Sequence, residues 1–269
     1  MAVAALVERH PRLEMPPLPA PLPARRAARV APAPPPGGPI TRLLPEPGGA
    51  GRVAVVIDDL GDSVETAGSV LALDPPVTVA VMPFRAASAR VAAAAIQRGR
   101  EVILHLPLEP ERRSEMADAP GFLLTGMASE RLERQLDADL ATVPYIVGVN
   151  GHMGSRFTQD RRAMEQLLVA LRARGLFFLD SLTSPSSVAA ATAERVGVPF
   201  VQRSVFLDHD PQPAAVAAQL GRVERLARGG RDVVAIGHPH EATLAALAPW
   251  MARLAAGGIR AVPLSALVR

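Results

Sequence analysis

The feature that most constrains this chain is a pattern repeated from Arg52 onward. A short aliphatic run gives way to polar punctuation, then to an alanine- and arginine-rich stretch of helix-forming composition, then to glycine before the next aliphatic run. Such strand–helix repeats imply a parallel sheet with crossover helices, because parallel neighbours cannot be joined by a tight hairpin. The runs place strands near residues 53–58, 77–82, 101–106, 145–149, 176–180, 199–203 and 232–236, with a last one near 259–263. Helices are expected over 86–98, 129–141, 160–174, 185–196, 212–228 and 241–256. Gly99, Gly175, Gly197, Gly229 and Gly257 stand where helices commonly end. Seven or eight such units predict a closed or nearly closed (β/α) barrel of the TIM type. An open doubly wound sheet is the alternative, weakened because no Gly-rich dinucleotide fingerprint follows the first strand.

The 269 residues, 49% of them hydrophobic, suffice for one sizeable core without crosslinks. Cysteine is absent, which removes disulfides, thiolate metal sites and cysteine nucleophiles. Lysine is absent too, which removes Schiff-base chemistry and the P-loop amine. Thirteen of the first 50 residues are proline, so residues 1–50 read as a disordered Pro-rich linker ahead of a domain over 51–269. That linker holds six arginines and three glutamates, leaving 23 charges of each sign in the remainder. A neutral body with 3% aromatic residues argues against a nucleic-acid partner. No apolar stretch approaches the roughly 18 residues of a membrane span, and Met1–Val7 is too short for the apolar region of a signal peptide. A Pro-rich arm often follows an anchor, so an export or anchor segment ahead of Met1 is an expectation.

Chemistry collects just after the expected strands. The first run, Val53–Ile57, ends in Asp58, Asp59 and Gly61, with Ser63 placed to cap a helix. Later ends carry His105 with Glu109, Asn150-Gly-His152, Asp180, Arg203 with Asp208, and His238-Pro-His240. In a parallel α/β fold these ends share one face. Adjacent carboxylates repel and cost desolvation unless something positive compensates, and a cation bound by Asp59, His105 and His152 would do so. His105 alone also reads as a core histidine, Asp180 as a helix cap, and Asp208 as part of a turn. Arg203 reads as a residue that orients a carboxylate or holds substrate. The G-x-S-x-G frame of a serine hydrolase is absent around Ser155.

Together, Ile57-Asp-Asp-Leu-Gly61, His105-Leu-Pro-Leu-Glu-Pro110, Asn150-Gly-His-Met-Gly-Ser-Arg-Phe-Thr158, Phe206-Leu-Asp208 and Ile236-Gly-His-Pro-His240 resemble the divergent polysaccharide deacetylase family, relatives of the NodB-homology deacetylases. The resemblance covers residues 52–269. It implies a distorted, NodB-like (β/α)7-8 barrel and metal-dependent removal of acetyl groups from a carbohydrate substrate of the cell envelope, in a periplasmic or envelope setting. By the family pattern, Asp58 is the general base, Asp59 a metal ligand, and His240, or failing that His238, the general acid. The second family motif has histidine where this chain has Glu109. The expected metal site, for zinc or a similar divalent ion, is therefore Asp59, His105 and His152, with Glu109 as substitute or neighbour. Asn150, Arg156, Asp180, Arg203 and Asp208 are expected at the substrate. Two rivals stand beside this reading. One is a non-catalytic glycan- or protein-binding protein on the same fold, and the other is a barrel hydrolase acting on a phosphoester or cyclic amide.

Overall fold

A computed structural model describes residues 51–118 and 120–269; the Pro-rich linker expected over residues 1–50 lies outside the described residues. Strands β1 (Arg52–Leu60), β2 (Thr78–Val81), β3 (Val102–Leu108), β4 (Gly148–Met153), β5 (Phe177–Asp180), β6 (Phe200–Gln202), β7 (Val205–Phe206) and β8 (Val233–Gly237) pair in the order 6-5-4-3-2-1-8-7. Every pairing is parallel, and a short β9 (Arg260–Ala261) adds to the start of β1. Helices α1 (Val64–Leu71), α2 (Ser88–Gln97), α3 (Ser129–Thr142), α4 (Arg161–Ala173), α5 (Ala189–Val196), α6 (Pro213–Arg228) and α7 (Glu241–Leu254) alternate with the strands.

The two edges of this sheet, β6 and β7, are separated by only Arg203 and Ser204. The Arg203 amide donates to the Asp180 carbonyl on β5, and the next amide, Ser204, donates to the Val234 carbonyl on β8. One peptide step thus carries the chain from one edge to the other. The sheet curls into a barrel whose seam is a bend in the chain instead of a ladder, which is the distortion expected of the NodB-like class.

Strand parity then sorts the side chains. On β1, Val53, Val55 and Ile57 join the large cluster shared with the helices, while Ala54 and Val56 join a smaller interior cluster with Ala80, Ile103, Phe177, Leu179, Val234 and Ile236. Leu264 and Leu267, on a 3-10 turn at Leu264–Leu267, belong to that interior cluster and close it near the amino-terminal ends of the strands. Large and small residues interlock: a Cβ on Gly148 would lie 2.3 Å from the Phe177 ring, so no larger residue fits there.

The structure departs from the sequence reading at several boundaries. β4 begins at Gly148 and runs to Met153, so Asn150 and His152 are strand residues, not loop residues; Tyr145, at φ 69°, breaks the chain ahead of them. Helix α1, which the repeat pattern did not assign, starts at the Ser63 cap, whose hydroxyl accepts from the Glu65 and Thr66 amides. Gly99, Gly175 and Gly197 are left-handed as expected of helix ends, but Gly230 and Gly258 take that role in place of Gly229 and Gly257. In both cases the preceding turn continues one residue further than the composition suggested.

One carboxylate lies in the shell without a counter-charge. Asp139 of α3 is fully buried; its Oδ1 accepts from Gln135 Nε2 at 2.9 Å, and its Oδ2 has no hydrogen-bond partner among the described residues. Burial pushes its carboxyl up to about 7, against a small opposing effect of the Gln135 hydrogen bond. Between about pH 4 and 7 the unfolded chain has lost this proton while the folded one keeps it, so stability falls as pH rises across that window and levels off above it. Asp139→Asn should therefore match the parent protein near pH 4 and exceed it at pH 8 by on the order of 4 kcal/mol, read by denaturant unfolding at the two pH values.

Candidate active site

The interior series of each strand continues upward into polar residues. Asp58 follows Ala54 and Val56 on β1, His105 follows Ile103 on β3, Asn150 and His152 follow Gly148 on β4, and His238 follows Val234 and Ile236 on β8. Alternation alone would turn Asp59 outward, away from Asp58. Instead the β1–β2 register slips between Ile57 and Leu60, and Asp59 adopts φ 56°. This bulge turns two consecutive carboxylates toward one imidazole: His105 Nε2 lies 3.8 Å from Asp58 Oδ2 and 3.1 Å from Asp59 Oδ1. Phe84, Met153 and Leu182 also take positive φ near the carboxyl ends of β2, β4 and β5, so backbone strain gathers on this face.

Asn150 aligns the cluster. Its amide nitrogen donates to Asp58 Oδ1 at 2.9 Å and to Ser181 Oγ at 3.2 Å, which leaves its carbonyl oxygen facing His105 Nδ1 at 2.9 Å. His105 must donate from Nδ1 and aim Nε2 at Asp59. His152 Nδ1 lies 3.0 Å from Asp59 Oδ1 and 3.2 Å from His105 Nε2. Three donor atoms thus form a triangle with edges of 3.0–3.2 Å, close to the roughly 3.4 Å that separates ligands about 2.1 Å from a tetrahedral zinc ion. Asp59 Oδ1 is buried and makes no hydrogen bond of its own. Two imidazoles and a carboxylate with an orphaned oxygen at their centre fit a first-row divalent cation.

The electrostatics agree. Burial would push His105 down, but the charges of Asp58 and Asp59 outweigh it and hold the imidazole up at about 9. Burial would raise Asp59, yet the two imidazoles keep its carboxyl well below the usual range. Asp58 is raised by desolvation, only partly offset by His105, His238 and the Asn150 hydrogen bond. A proton on His105 is thus the positive charge the two aspartates draw in, and a cation would serve in its place.

Across the cleft, Asp208 grips His238. Its Oδ1 lies 3.0 Å from His238 Nδ1, and its Oδ2 accepts from the His238 amide at 2.7 Å and from Thr243 Oγ1 at 2.8 Å. His238 Nε2 is thereby turned to the cluster, 3.7 Å from Asp59 Oδ2. Asp58, Asp59, His105, His152 and His238 line a cavity of about 410 Å³ that Arg203 and Phe206 also face.

The structure redistributes several expected roles. Glu109 is fully buried but outside the triad: Arg113 holds its Oε1 at 2.7 Å, and the Thr125 amide and hydroxyl hold its Oε2 at 2.7 and 2.6 Å. This corrects the expectation of Glu109 as a ligand, since both oxygens already have donors. Arg156, expected at substrate, lies 3.5 Å from that same carboxylate and does not line the cavity. Asp180 shares the parity of Phe178, on the helix side of β5, and accepts from Leu182 and Ser187; it is a loop anchor, not a substrate contact. Asn150 and Asp208 are buried positioning groups instead of substrate contacts. His240 is exposed at the start of α7, its ring 5.7 Å from that of His238; with Asp208 and His238 it forms a second group of possible metal ligands. Of the five residues expected at substrate, Arg203 alone lines the cavity. The reading missed the Asp208–His238 pairing, whose signal was the ends of two runs, Phe206 and Ile236, each followed within two residues by a polar group.

Comparison with known proteins agrees with this architecture. A family model for the divergent polysaccharide deacetylases matches residues 55–268, and the chain belongs to that family. The uncharacterized protein YibQ of Escherichia coli is 37% identical over 179 residues, covering 66% of this chain but 56% of YibQ, so the match spans little more than half of that relative. The crystal structure of the uncharacterized protein ATU2773 from Agrobacterium tumefaciens superposes with a TM-score of 0.78 at 28% identity, over 82% of this chain and 90% of that one. Peptidoglycan deacetylase PdaC from Bacillus subtilis shares the fold, with a TM-score of 0.51 at 12% identity over 81% of this chain and 90% of its own.

Burial would lower the His238 imidazole, but its contact with Asp208 and the charges of Asp58 and Asp59 raise it above the ordinary histidine value. Asp208→Asn removes one of those charges while keeping an acceptor. The His238 ring resonances, followed by NMR through a pH titration, should then shift their midpoint downward.

Proposed function

We propose that this cleft is a metal-dependent hydrolase site that removes acetyl groups from an envelope carbohydrate, working in the periplasm or cell envelope. The observation that carries the reading is the triangle of Asp59 Oδ1, His105 Nε2 and His152 Nδ1, flanked by a desolvated carboxylate on one side and a buttressed imidazole on the other. The substrate class comes from membership of the polysaccharide deacetylase family.

A divalent ion held by Asp59, His105 and His152 would supply Lewis acidity, making water nucleophilic at neutral pH and polarising an acyl carbonyl. Asp58 accepts the proton of the attacking water; its burial makes it a stronger base than a solvated aspartate, and Asn150 fixes the oxygen it uses. His238 protonates the departing amine or alkoxide from Nε2, because Asp208 holds its other nitrogen. The geometry favours His238 over His240 for this role, since His240 is exposed and does not line the cavity. The rival binding-protein reading drew on Glu109 standing where the wider family has a second histidine. The triangle closes through His152 without Glu109, which supports the catalytic reading.

Elemental analysis after exposure to zinc should find about one ion per chain, lost in His105→Ala and in His152→Ala. With acetylated oligosaccharides, acetate release should fall by about 10²- to 10⁴-fold in Asp58→Asn while the ion is retained. A chain that takes up no ion, or an Asp58→Asn variant with unchanged turnover, would overturn the mechanism.

A further inference from the structure

Arg203 stands in the cleft for a reason the hydrolytic scheme leaves unassigned. It follows Val201, which packs on the interior cluster, and the same parity turns it into the cavity. Its Nε donates to the Ser181 carbonyl at 2.6 Å and its Nη2 to the Leu182 carbonyl at 2.9 Å. Those carbonyls are presented by the turn after β5, where Leu182 takes φ 49°. The Phe206 ring lies beneath the guanidinium, 5.0 Å from its central carbon to the ring centroid. The group is therefore locked in plane and in rotation.

Only one edge of the fork is engaged. A guanidinium carries five N–H groups in a fixed plane; Nε–H and one Nη2–H face the two carbonyls, so the second Nη2–H and both Nη1–H remain without a partner among the described residues. That outer edge offers two parallel N–H groups, the arrangement that receives a carboxylate in two hydrogen bonds. Arg52, Arg113, Arg174 and Arg195 each pair with a carboxylate of this chain. Arg203 has no such bridge among the described residues. Burial lowers its pKa, with Asp180 and Asp58 only partly opposing, so its charge is under-compensated where it stands. A half-buried, immobilised cation with an open fork and no carboxylate of the described residues in direct contact is a receptor for an anion.

We propose that Arg203 selects acylated sugars that bear a carboxylate, so that the substrate class is an acidic acetylated saccharide. The inference rests on the deacetylase reading for its acyl group, and on Arg203 alone for its acid. A monoanionic carboxylate suits the site better than a phosphate dianion, because Asp58 and Asp59 lie in the same cavity and repel added negative charge. The planar end-on fork also matches a planar carboxylate.

The test compares two probes that share an acetamido sugar and differ by one carboxylate: N-acetylmuramic acid and N-acetylglucosamine. Calorimetric or NMR titration of the zinc-exposed protein should show the acid binding roughly tenfold tighter or more, a gap that closes in the methyl ester of the acid and in Arg203→Gln. The methyl ester needs no altered protein, so the result stands even if Arg203→Gln loosens the turn it braces. Equal affinity for acid and ester, a gap that persists in a folded Arg203→Gln, or N-acetylglucosamine 6-phosphate binding more tightly than the acid would each overturn the proposal. Zinc-dependent hydrolysis of 4-nitrophenyl acetate by the parent protein is measured alongside. Its absence would sink the deacetylase reading while leaving the acid-against-ester comparison to decide the role of Arg203.

Discussion

Two adjacent carboxylates at the end of a buried strand set the terms for this molecule. Asp58 is 3% exposed and lies beside Asp59, at the top of an interior otherwise filled by Ala54, Val56, Ile103 and Ile236. In such surroundings the Asp58 charge is not tolerable without nearby positive partners and donors, and the adjacent Asp59 adds to the need. His105, His152, His238 and Asn150 supply them, each from a different point of the sheet, with His105 oriented by Asn150 and His238 by Asp208. The arrangement responds as a unit: the carboxylates raise His105 and His238, His105 and His152 hold Asp59 low, and Asn150 forces the His105 tautomer that aims Nε2 inward.

The barrel makes that convergence possible because it brings the carboxyl ends of nonadjacent strands around one opening. Its seam contributes as well. At Arg203 and Ser204 the chain passes from its pairing with β5 to its pairing with β8 in consecutive amides, so the sheet is joined there by a bend instead of a ladder. The residues of the seam and of the turn beside it, Ser181, Leu182, Arg203 and Phe206, line the same cavity as the Asp59, His105 and His152 triangle. The acidic and imidazole wall is suited to chemistry. The seam wall carries a fixed cation and an aromatic face, and is suited to choosing what enters.

Glu109 illustrates how one substitution is absorbed. Its carboxylate sits where the wider family has a metal-binding histidine, yet here it fastens the segment after β3 through Thr125 and Arg113. Its backbone carbonyl also accepts from the Arg156 and Phe157 amides, so one residue ties two loops together. His152, at the end of β4 and aligned with Pro107 across the ladder, occupies the third corner of the triangle instead.

Much of this was legible in the residues alone. The alternation of aliphatic runs and helical stretches is a local property, and so the parallel barrel, most element positions and the placing of Asp58, Asp59, His105, His152 and His238 near strand ends could be read from it. Parity within a strand is also local, and it would have separated Arg203, which faces the cleft, from Asp180, which faces the helices, had the strand boundaries been known to one residue. What the sequence could not determine depended on contacts between distant segments. The bulge that turns Asp59 beside Asp58, the extension of β4 through His152, the capture of Glu109 by Thr125 and the coupling of Asp208 to His238 all join groups between 16 and 47 positions apart or respond to a neighbouring strand. Local propensity names the residues that carry charge; only the curled sheet decides which of them share a low-dielectric space, and there electrostatic coupling assigns each one its role.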